Sequence, residues 1–136
     1  MKSFHFVLVT PERTLLDKKI LQVTLPTVDG EITMLGGHVP YIGVLRAGEA
    51  RLVDEENKEV EFALSSGFFE FGKNRLTVLA DTAERAEEID IERAKRAVAL
   101  AEEAKQRKNL DEMEYAVAAA QLEKELARLR LAGKRR

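Results

Sequence analysis

The sequence predicts an α+β protein, in which an N-terminal antiparallel β-sandwich, or flattened barrel, is followed by a C-terminal antiparallel two-helix hairpin. Up to about residue 81, apolar and polar residues alternate, and Gly, Pro, Asn and Asp interrupt the alternation every few residues, as is typical of strands joined by turns. Beyond residue 82 there is no proline, and apolar residues recur three and four apart, as in amphipathic helices. We therefore assign residues 1–83 to the β-sandwich domain and residues 84–136 to the helical domain.

About eight short strands are predicted in the first domain, with no helix between them. The dipeptide Asp29-Gly30 indicates a hairpin turn, because glycine tolerates a positive φ. All six phenylalanines lie in this domain, so we expect the hydrophobic core to lie there too. The predicted strands centre on residues 4–8, 21–25, 32–34, 42–45, 52–53, 60–64, 69–71 and 76–78.

The first helix is predicted to begin after Asp90, whose carboxylate suits an N-cap, with Ile89 packing against Ala94 across the cap. Its pattern fades before Asp111, which forms a capping box with Glu114 and so starts a second helix. Two helices joined by a short polar turn pack antiparallel.

The contact faces of these helices are rich in alanine, including Ala116 and residues 118–120. A buried methyl group contributes about 0.8 kcal/mol, against roughly 2 kcal/mol for a leucine, so the hairpin should be only marginally stable. This favours a detachable helical arm on a rigid β domain, and a permanently docked hairpin is the open alternative. Gly133 is expected to end the second helix. The predicted apolar stripe of that helix is Tyr115, Ala119, Leu122, Leu126 and Leu129.

Composition limits the classes of function. The formal net charge of -2 gives no general attraction for nucleic acid, so we expect no nucleic-acid partner. With no cysteine and only two histidines, no metal site is predicted. No uncharged apolar run approaches the roughly 20 residues that span a bilayer, so we expect no direct membrane insertion and a place on the cytosolic side. No nucleophile elbow or phosphate-binding loop is present, and no catalytic residue is assigned.

The end of the second helix is strongly basic. From residue 124 onward there are six basic residues against one acidic residue, Glu125. Positive charge suits a helix C-terminus, and a solvated tail is the simplest explanation. Six charges exceed what the helix dipole needs, so we favour an acidic protein surface as the partner. The six residues are Lys124, Arg128, Arg130, Lys134, Arg135 and Arg136.

Four ordered motifs span most of the chain: VTPER at residues 9–13, LPTVDGEITMLGGHVP at 25–40, SSGFFEF at 65–71 and TVLADTAERAEEID at 77–90. With the alanine-rich hairpin that follows, they make the chain resemble the epsilon subunit of the bacterial rotary F-type ATP synthase. The family's β-sandwich and two-helix hairpin agree with the elements derived above. The sequence departs from the usual pattern at Thr33, where glycine is common, and at Gly36, where proline is common.

The resemblance implies a non-catalytic subunit of the central stalk of the proton-translocating synthase. The sandwich would bind the gamma subunit and rest on the c ring, at the cytoplasmic face of the bacterial plasma membrane, and so couple proton flow to ATP synthesis. Glu31 matches a family segment that faces the c ring, and His38 matches a position near the gamma contact. From the residues alone, Glu31 could equally decorate a turn and His38 fill a loop.

Some bacterial members of the family bind ATP through an (Ile/Leu)-Asp-x-x-Arg-Ala motif, which is intact here at residues 89–94. The resemblance implies ATP as a regulatory ligand, with no cofactor required. Carboxylates can accept hydrogen bonds from adenine or ribose, and Arg93 offers a planar fork for phosphate. Without a ligand, Asp90 is explained as a cap and Arg93 as an exposed helix residue. The implied nucleotide-binding set is Glu84, Ile89, Asp90, Arg93, Ala94, Lys124 and Arg128.

Lys124 stands where the ATP-binding members have an arginine, so a weaker affinity is expected. ATP would hold the hairpin folded, and at low ATP its basic end would extend to an acidic loop of the catalytic beta subunit and stop hydrolysis. An alternative function is a stand-alone ATP-sensing or ligand-binding sandwich with a helical dimerisation arm.

Overall fold

The computed structural model describes residues 2–134, and in them nine strands are followed by two α-helices, which confirms the predicted fold class. A 3₁₀ turn, Ala86–Glu88, joins the two parts. The helices are α1, Ile91–Lys105, and α2, Glu112–Lys134. The strands are β1 (Phe4–Val9), β2 (Thr14–Thr27), β3 (Gly30–Leu35), β4 (Tyr41–Leu45), β5 (Gly48–Asp54), β6 (Glu59–Leu64), β7 (Gly67–Gly72), β8 (Arg75–Ala80) and β9 (Ala83–Arg85).

The strands form one continuous sheet that closes on itself through β1. The hydrogen-bonded order is β1-β8-β7-β4-β2-β5-β6-β9, with β3 paired to β2 and a further pairing between β1 and β2. All pairs are antiparallel except β1 with β8. The 14-residue β2 pairs with β1 along its first half and with β3 along its second half. One long strand thus runs through both layers of the flattened barrel.

The hydrophobic core lies inside this barrel, as the aromatic content predicts. Five of the six phenylalanines are at most 2% exposed, and they pack with the aliphatic residues of β2, β5 and β8. Phe68 is the exception, because its position on β7 points to the other face of the sheet, where it is 56% exposed. The five buried rings are Phe4, Phe6, Phe62, Phe69 and Phe71.

Two strand boundaries differ from those predicted. Strand β2 begins at Thr14, well before the predicted start, because its first half is held by hydrogen bonds to β1 although it contains Lys18 and Lys19. Strand β9 was not predicted, since its charged sequence reads as part of a hinge. Pairing with Phe62–Leu64 of β6 makes it a strand. The sheet therefore continues past residue 83, and Glu84 lies in its last strand.

The helix starts are as predicted. The side chain of Asp90 accepts a hydrogen bond from the backbone N–H of Arg93 at 3.1 Å. At the second helix, Asp111 accepts from the Glu114 N–H at 2.7 Å, and the Glu114 side chain accepts from the Asp111 N–H at 3.4 Å, which completes a capping box. Asn109, with φ of 64°, turns the chain between the helices. Neither described helix is long and apolar enough to cross a membrane.

The buried face of α2 differs from the predicted stripe. Tyr115 and Leu126 are 49% and 40% exposed, whereas Ala127, Leu131 and Ala132 are buried. The reason is that α2 packs on the sheet as well as on α1, so its C-terminal half turns a different set of residues inward. Gly133 was also expected to end the helix, but it lies inside α2. Of the predicted stripe, Ala119, Leu122 and Leu129 are half-buried.

Gly67, at the start of β7, lies where the chain passes very close to β8. A Cβ atom at this position would lie 2.0 Å from the carbonyl oxygen of Leu79. The atom it would meet belongs to the backbone and cannot rotate away as the end of a flexible side chain can. Strands β7 and β8 would therefore have to move apart. We expect Gly67→Ala to lower the free energy of unfolding by about 2 kcal/mol or more, measured by urea denaturation.

Gly72, at the other end of the same strand, is the matched control. A Cβ atom there would meet no heavy atom of residues 2–134 within 4 Å. Gly72→Ala should change the stability by less than about 1 kcal/mol. Equal losses in the two variants would contradict the assignment of the close approach to Gly67.

Candidate functional site

The start of α1 places Asp90 and Arg93 side by side at the junction of the two domains. The backbone N–H of Arg93 holds the pKa of Asp90 below its usual value, with smaller contributions from the Glu92 N–H and the charges of Arg93 and Arg96. Asp90 is therefore an anion at neutral pH, with oxygen atoms that can accept further hydrogen bonds.

Four of the seven residues implied in nucleotide binding meet in one surface cleft. The cleft has a volume of about 470 Å³, which lies within the range of small-molecule sites. Glu84 comes from β9, Asp90 and Arg93 from the start of α1, and Arg128 from α2. Three separate elements thus contribute, and the cleft exists only when α2 is packed against the sheet.

Arg128 is the centre of the polar contacts at this cleft. Its guanidinium pairs with Glu84, with an Nη2–Oε2 distance of 3.4 Å, and with Glu125, with an Nη1–Oε2 distance of 2.5 Å. Burial alone would lower the pKa of Arg128, but the hydrogen bonds to the two carboxylates raise it above its ordinary value. Glu125 is only 4% exposed and also accepts from the Gln121 side chain. A phosphate at Arg128 would compete with Glu84 for the same donors.

The other three implied residues have different places. Ile89 and Ala94 are buried beneath the cleft, at 2% and 0% exposure, where they pack in the apolar cluster of the junction rather than line the opening. Lys124 lies one helical turn from Arg128 and lines an adjoining cleft of about 340 Å³. The two clefts share Glu84, Glu88 and Arg128 and so adjoin each other.

Three charged residues that sequence reasoning missed also line these clefts. Arg96 lies one turn beyond Arg93 on α1, and this spacing of three could have identified it. Glu88 comes from the 3₁₀ turn. Arg13, from the turn between β1 and β2, reaches the second cleft, with its Nη2 atom 3.9 Å from Glu88 Oε2. No local pattern could have placed Arg13 there, because it is distant in sequence.

Glu31 and His38 lie at opposite ends of the segment that contains β3. Glu31 follows the Asp29-Gly30 turn, is largely exposed and forms an ion pair with Arg51 at 3.4 Å. The His38 ring contacts Phe71 and Tyr41 edge-on, with centroid distances of 5.4 and 6.2 Å, and its Nδ1 lies 2.7 Å from the Val39 carbonyl oxygen. His38 is thus held in one orientation.

One row of apolar side chains crosses the outer face of the sheet. Val44, Phe68 and Leu79 are directly opposite one another on β4, β7 and β8, and they are 53%, 56% and 41% exposed. Val9 of β1 continues the row beside Leu79. Ile42, 73% exposed, lies two residues from Val44 on the same face. We call Ile42, Val44, Phe68 and Leu79 the apolar row.

Three basic residues of α2 have acidic partners in this fold. Arg128 pairs with Glu84 and Glu125, while Arg130 and Lys134 both pair with Glu49 of β5. Lys124 forms no ion pair within residues 2–134, and Arg135 and Arg136 lie outside the described residues.

Comparison with known proteins agrees with this architecture. The model of the beta-sandwich domain of the ATP synthase delta/epsilon chain matches residues 3–86, and the model of its long alpha-helix domain matches residues 87–133. The chain belongs to the ATP synthase delta/epsilon family. The ATP synthase epsilon chain of Geobacter sulfurreducens is 39% identical over 127 residues, which cover 93% of this chain and 91% of the relative. The chain is an epsilon-type, non-catalytic stalk subunit rather than an enzyme.

Solved chains with this fold occur within ATP synthase assemblies. A chain in the Euglena gracilis mitochondrial ATP synthase, in a structure that contains OSCP, F1 and the c-ring, matches with a TM-score of 0.76 and 24% identity, over 89% of this chain and 76% of that one. A chain in the central stalk and c-ring of the Tetrahymena thermophila mitochondrial synthase matches with a TM-score of 0.63 and 14% identity, over 98% and 96%. At these identities the likeness shows the fold alone.

The cap at Asp90 gives a prediction about pH. Because the folded pKa is lowered from 3.8, the carboxylate stabilises the fold above that value, and this contribution is lost as the pH falls through the lower folded pKa. An asparagine at this position could still cap the helix but does not titrate. We expect Asp90→Asn to have a lower Tm than the parent protein near neutral pH and to lose that difference in acid.

Circular dichroism at 222 nm during thermal unfolding, at a series of pH values from about 6 down to about 2, measures both proteins, and the difference in Tm should shrink as the pH falls below 3.8. Other carboxylates titrate equally in the two proteins and cancel in the difference. A difference in Tm that does not change with pH would contradict the role of the charge.

Proposed function

We propose that this epsilon-type subunit acts as a rotor component that couples the c ring and the gamma subunit to ATP synthesis, and that its hairpin inhibits ATP hydrolysis when extended. The chain would sit peripherally at the cytoplasmic face of the bacterial plasma membrane. ATP would be a regulatory ligand of the folded hairpin. The regulatory part of this proposal rests on one cleft, which forms only when α2 is docked on the sheet. The cleft is lined by Glu84, Asp90, Arg93 and Arg128.

The apolar row supports a permanent protein partner for the sandwich. Exposed Phe and Ile side chains that are aligned across strands are costly in water and suit the buried centre of an interface. His38 lies at the end of β4 that is nearer Ile42, but its partners Phe71 and Tyr41 point to the opposite face of the sheet, so His38 would lie at the edge of this interface. We assign this face to the gamma subunit. Glu31, exposed on the β2–β3 hairpin, is assigned to the c ring.

The charges of the cleft suit a nucleoside triphosphate. Asp90 and Glu88 offer oxygen acceptors for an adenine amino group or ribose hydroxyls, whereas Arg93, Arg96 and Arg128 offer donors for phosphate. Arg93 and Arg96 form no ion pair within residues 2–134 and so remain available. The phosphates would reach Lys124 through the adjoining cleft.

Thermodynamic linkage gives the free energy by which ATP would stabilise the folded hairpin over the extended one. A ligand that binds only the folded hairpin, at ten times its dissociation constant, stabilises that state by about 1.4 kcal/mol. The small apolar contact between α2 and the sheet makes such an increment significant. When ATP falls, the hairpin would extend, and its basic residues would contact an acidic loop of the catalytic beta subunit.

The lysine at position 124 should limit ATP affinity. An arginine there could make two parallel hydrogen bonds to phosphate in place of one point-charge contact, so we expect Lys124→Arg to lower the Kd for ATP about fivefold. Arg93→Ala should raise the Kd at least about tenfold. Both are measured by titrating the full chain with ATP while following backbone amide shifts.

Lys108→Arg, in the turn between the helices, is the matched control and should leave the Kd unchanged. If the parent chain shows no saturable shifts around residues 89–94, the ATP hypothesis is wrong, and the rotor assignment is unaffected.

The apolar row should dominate binding to gamma. Phe68 is its largest side chain, so truncation should remove a central contact and cost about 2 kcal/mol, a rise in Kd of about thirtyfold. Phe68→Ala and the parent chain are compared by calorimetric titration with purified gamma subunit.

Met113→Ala is the control for the gamma experiment, because Met113 is 74% exposed but lies on the hairpin. It should bind like the parent protein. If Phe68→Ala also binds like the parent, gamma does not use this face.

A further inference from the structure

The C-terminal half of α2 carries a second set of polar contacts, away from the nucleotide cleft. Glu49 of β5 has a side chain that is only 8% exposed, and it accepts hydrogen bonds from Lys134 Nζ at 2.9 Å and from Arg130 Nε at 3.3 Å. Arg130 and Lys134 are four residues apart and lie on one side of the helix. We call these three residues the Glu49 cluster.

The Glu49 cluster lies beside the apolar contact that docks α2. On the sheet, Glu49 is directly opposite Ala63 of β6. Ala63 packs in a small buried cluster with Leu131 and Ala132 of α2. Along α2, the docking residues Leu131 and Ala132 therefore lie between Arg130 and Lys134, which bind Glu49. Packing and charge act on the same turn of α2.

The carboxylate is buried by the helix that supplies its partners. A carboxylate this little exposed needs hydrogen-bonded cations, and only α2 supplies them to Glu49 within residues 2–134. Two further ion pairs join α2 to the sandwich. Arg128 pairs with Glu84 of β9, and these side chains are 21% and 30% exposed. Arg46 pairs with Glu123 at 2.7 Å, and these side chains are 56% and 40% exposed. An exposed pair of this kind contributes little.

We propose that Glu49 retains the C-terminal half of α2 on the sandwich, by pairing with Arg130 and Lys134. These are two of the cations assigned above to the acidic surface of the catalytic subunit, so Glu49 and that surface compete for them. The Glu49 cluster uses only charges of this chain and needs no nucleotide. The inference rests on the proposed movement of the hairpin, but it is independent of ATP binding.

The experiment measures the open fraction of the hairpin directly. The chain contains no cysteine, so Glu56→Cys on the β5–β6 turn and Arg107→Cys in the turn between the helices can carry two spin labels on the full chain. Double electron–electron resonance without nucleotide gives the distance distribution. In Glu49→Gln we expect the ratio of open to closed hairpin to rise about five- to tenfold. Raising the salt from about 20 to about 500 mM should open the parent chain more than this variant.

Two further variants test the charge pairing. Glu123→Gln removes a different carboxylate, one on α2 itself, and is the matched control, with an expected change of less than about twofold. The triple variant Glu49→Lys, Arg130→Glu, Lys134→Glu reverses all three charges and should restore closure relative to Glu49→Lys alone.

A further variant tests the movement of the hairpin separately from the role of Glu49. Leu131→Asp disrupts the apolar contact and should open the hairpin by an independent route. If Leu131→Asp opens it and Glu49→Gln does not, Glu49 has no retaining role and the proposed movement stands. If Glu123→Gln opens the hairpin as much as Glu49→Gln does, the overall charge of the chain retains the hairpin and the Glu49 cluster has no specific role. If no variant opens it, both the movement and the inference are overturned.

Discussion

The packing of α2 on β5 and β6 is the interaction on which the rest of this structure depends. Its apolar part is small, since it rests on Leu131 and short alanine side chains against Ala63, Ala86 and Ile89. A buried methyl group contributes about 0.8 kcal/mol, so this contact alone gives limited stability. Carboxylates lie on both sides of it, Glu84 toward the cleft and Glu49 away from it, and each holds a cation of α2. Charge thus supplements an apolar contact of small area.

Every candidate site on the hairpin follows from that packing. The cleft needs Arg128 beside Glu84 and Asp90, and this arrangement exists only while α2 lies on the sheet. The same packing pairs Arg128, Arg130 and Lys134 with acids of this chain, so the folded hairpin neutralises the charge that an acidic partner would bind. A ligand in the cleft and an acidic partner would therefore act on one equilibrium from opposite directions.

The sandwich supplies the opposite property, which is rigidity. Its sheet closes through the pairing of β1 with both β2 and β8, and five phenylalanine rings fill its interior. On such a frame the exposed side chains of β4, β7 and β8 stay aligned by strand register, so the apolar row is present before any partner arrives. A contact surface fixed in this way suits the rotor role proposed above, whereas the proposed movement needs only the small apolar contact of the hairpin to open.

The sequence by itself determined the features that depend on near neighbours. Alternation located the strands and the core, and the caps at Asp90 and Asp111 located both helix starts, because each rests on residues a few positions apart. The motif at residues 89–94 pointed to the junction for the same reason. Only the tertiary structure decided the rest: β9 is a strand because β6 pairs with it, and the α2 stripe was wrong because the sheet buries a different face. Arg128 meets Glu84 across 44 residues and Lys134 meets Glu49 across 85, and such pairings depend on how the elements pack rather than on any local pattern.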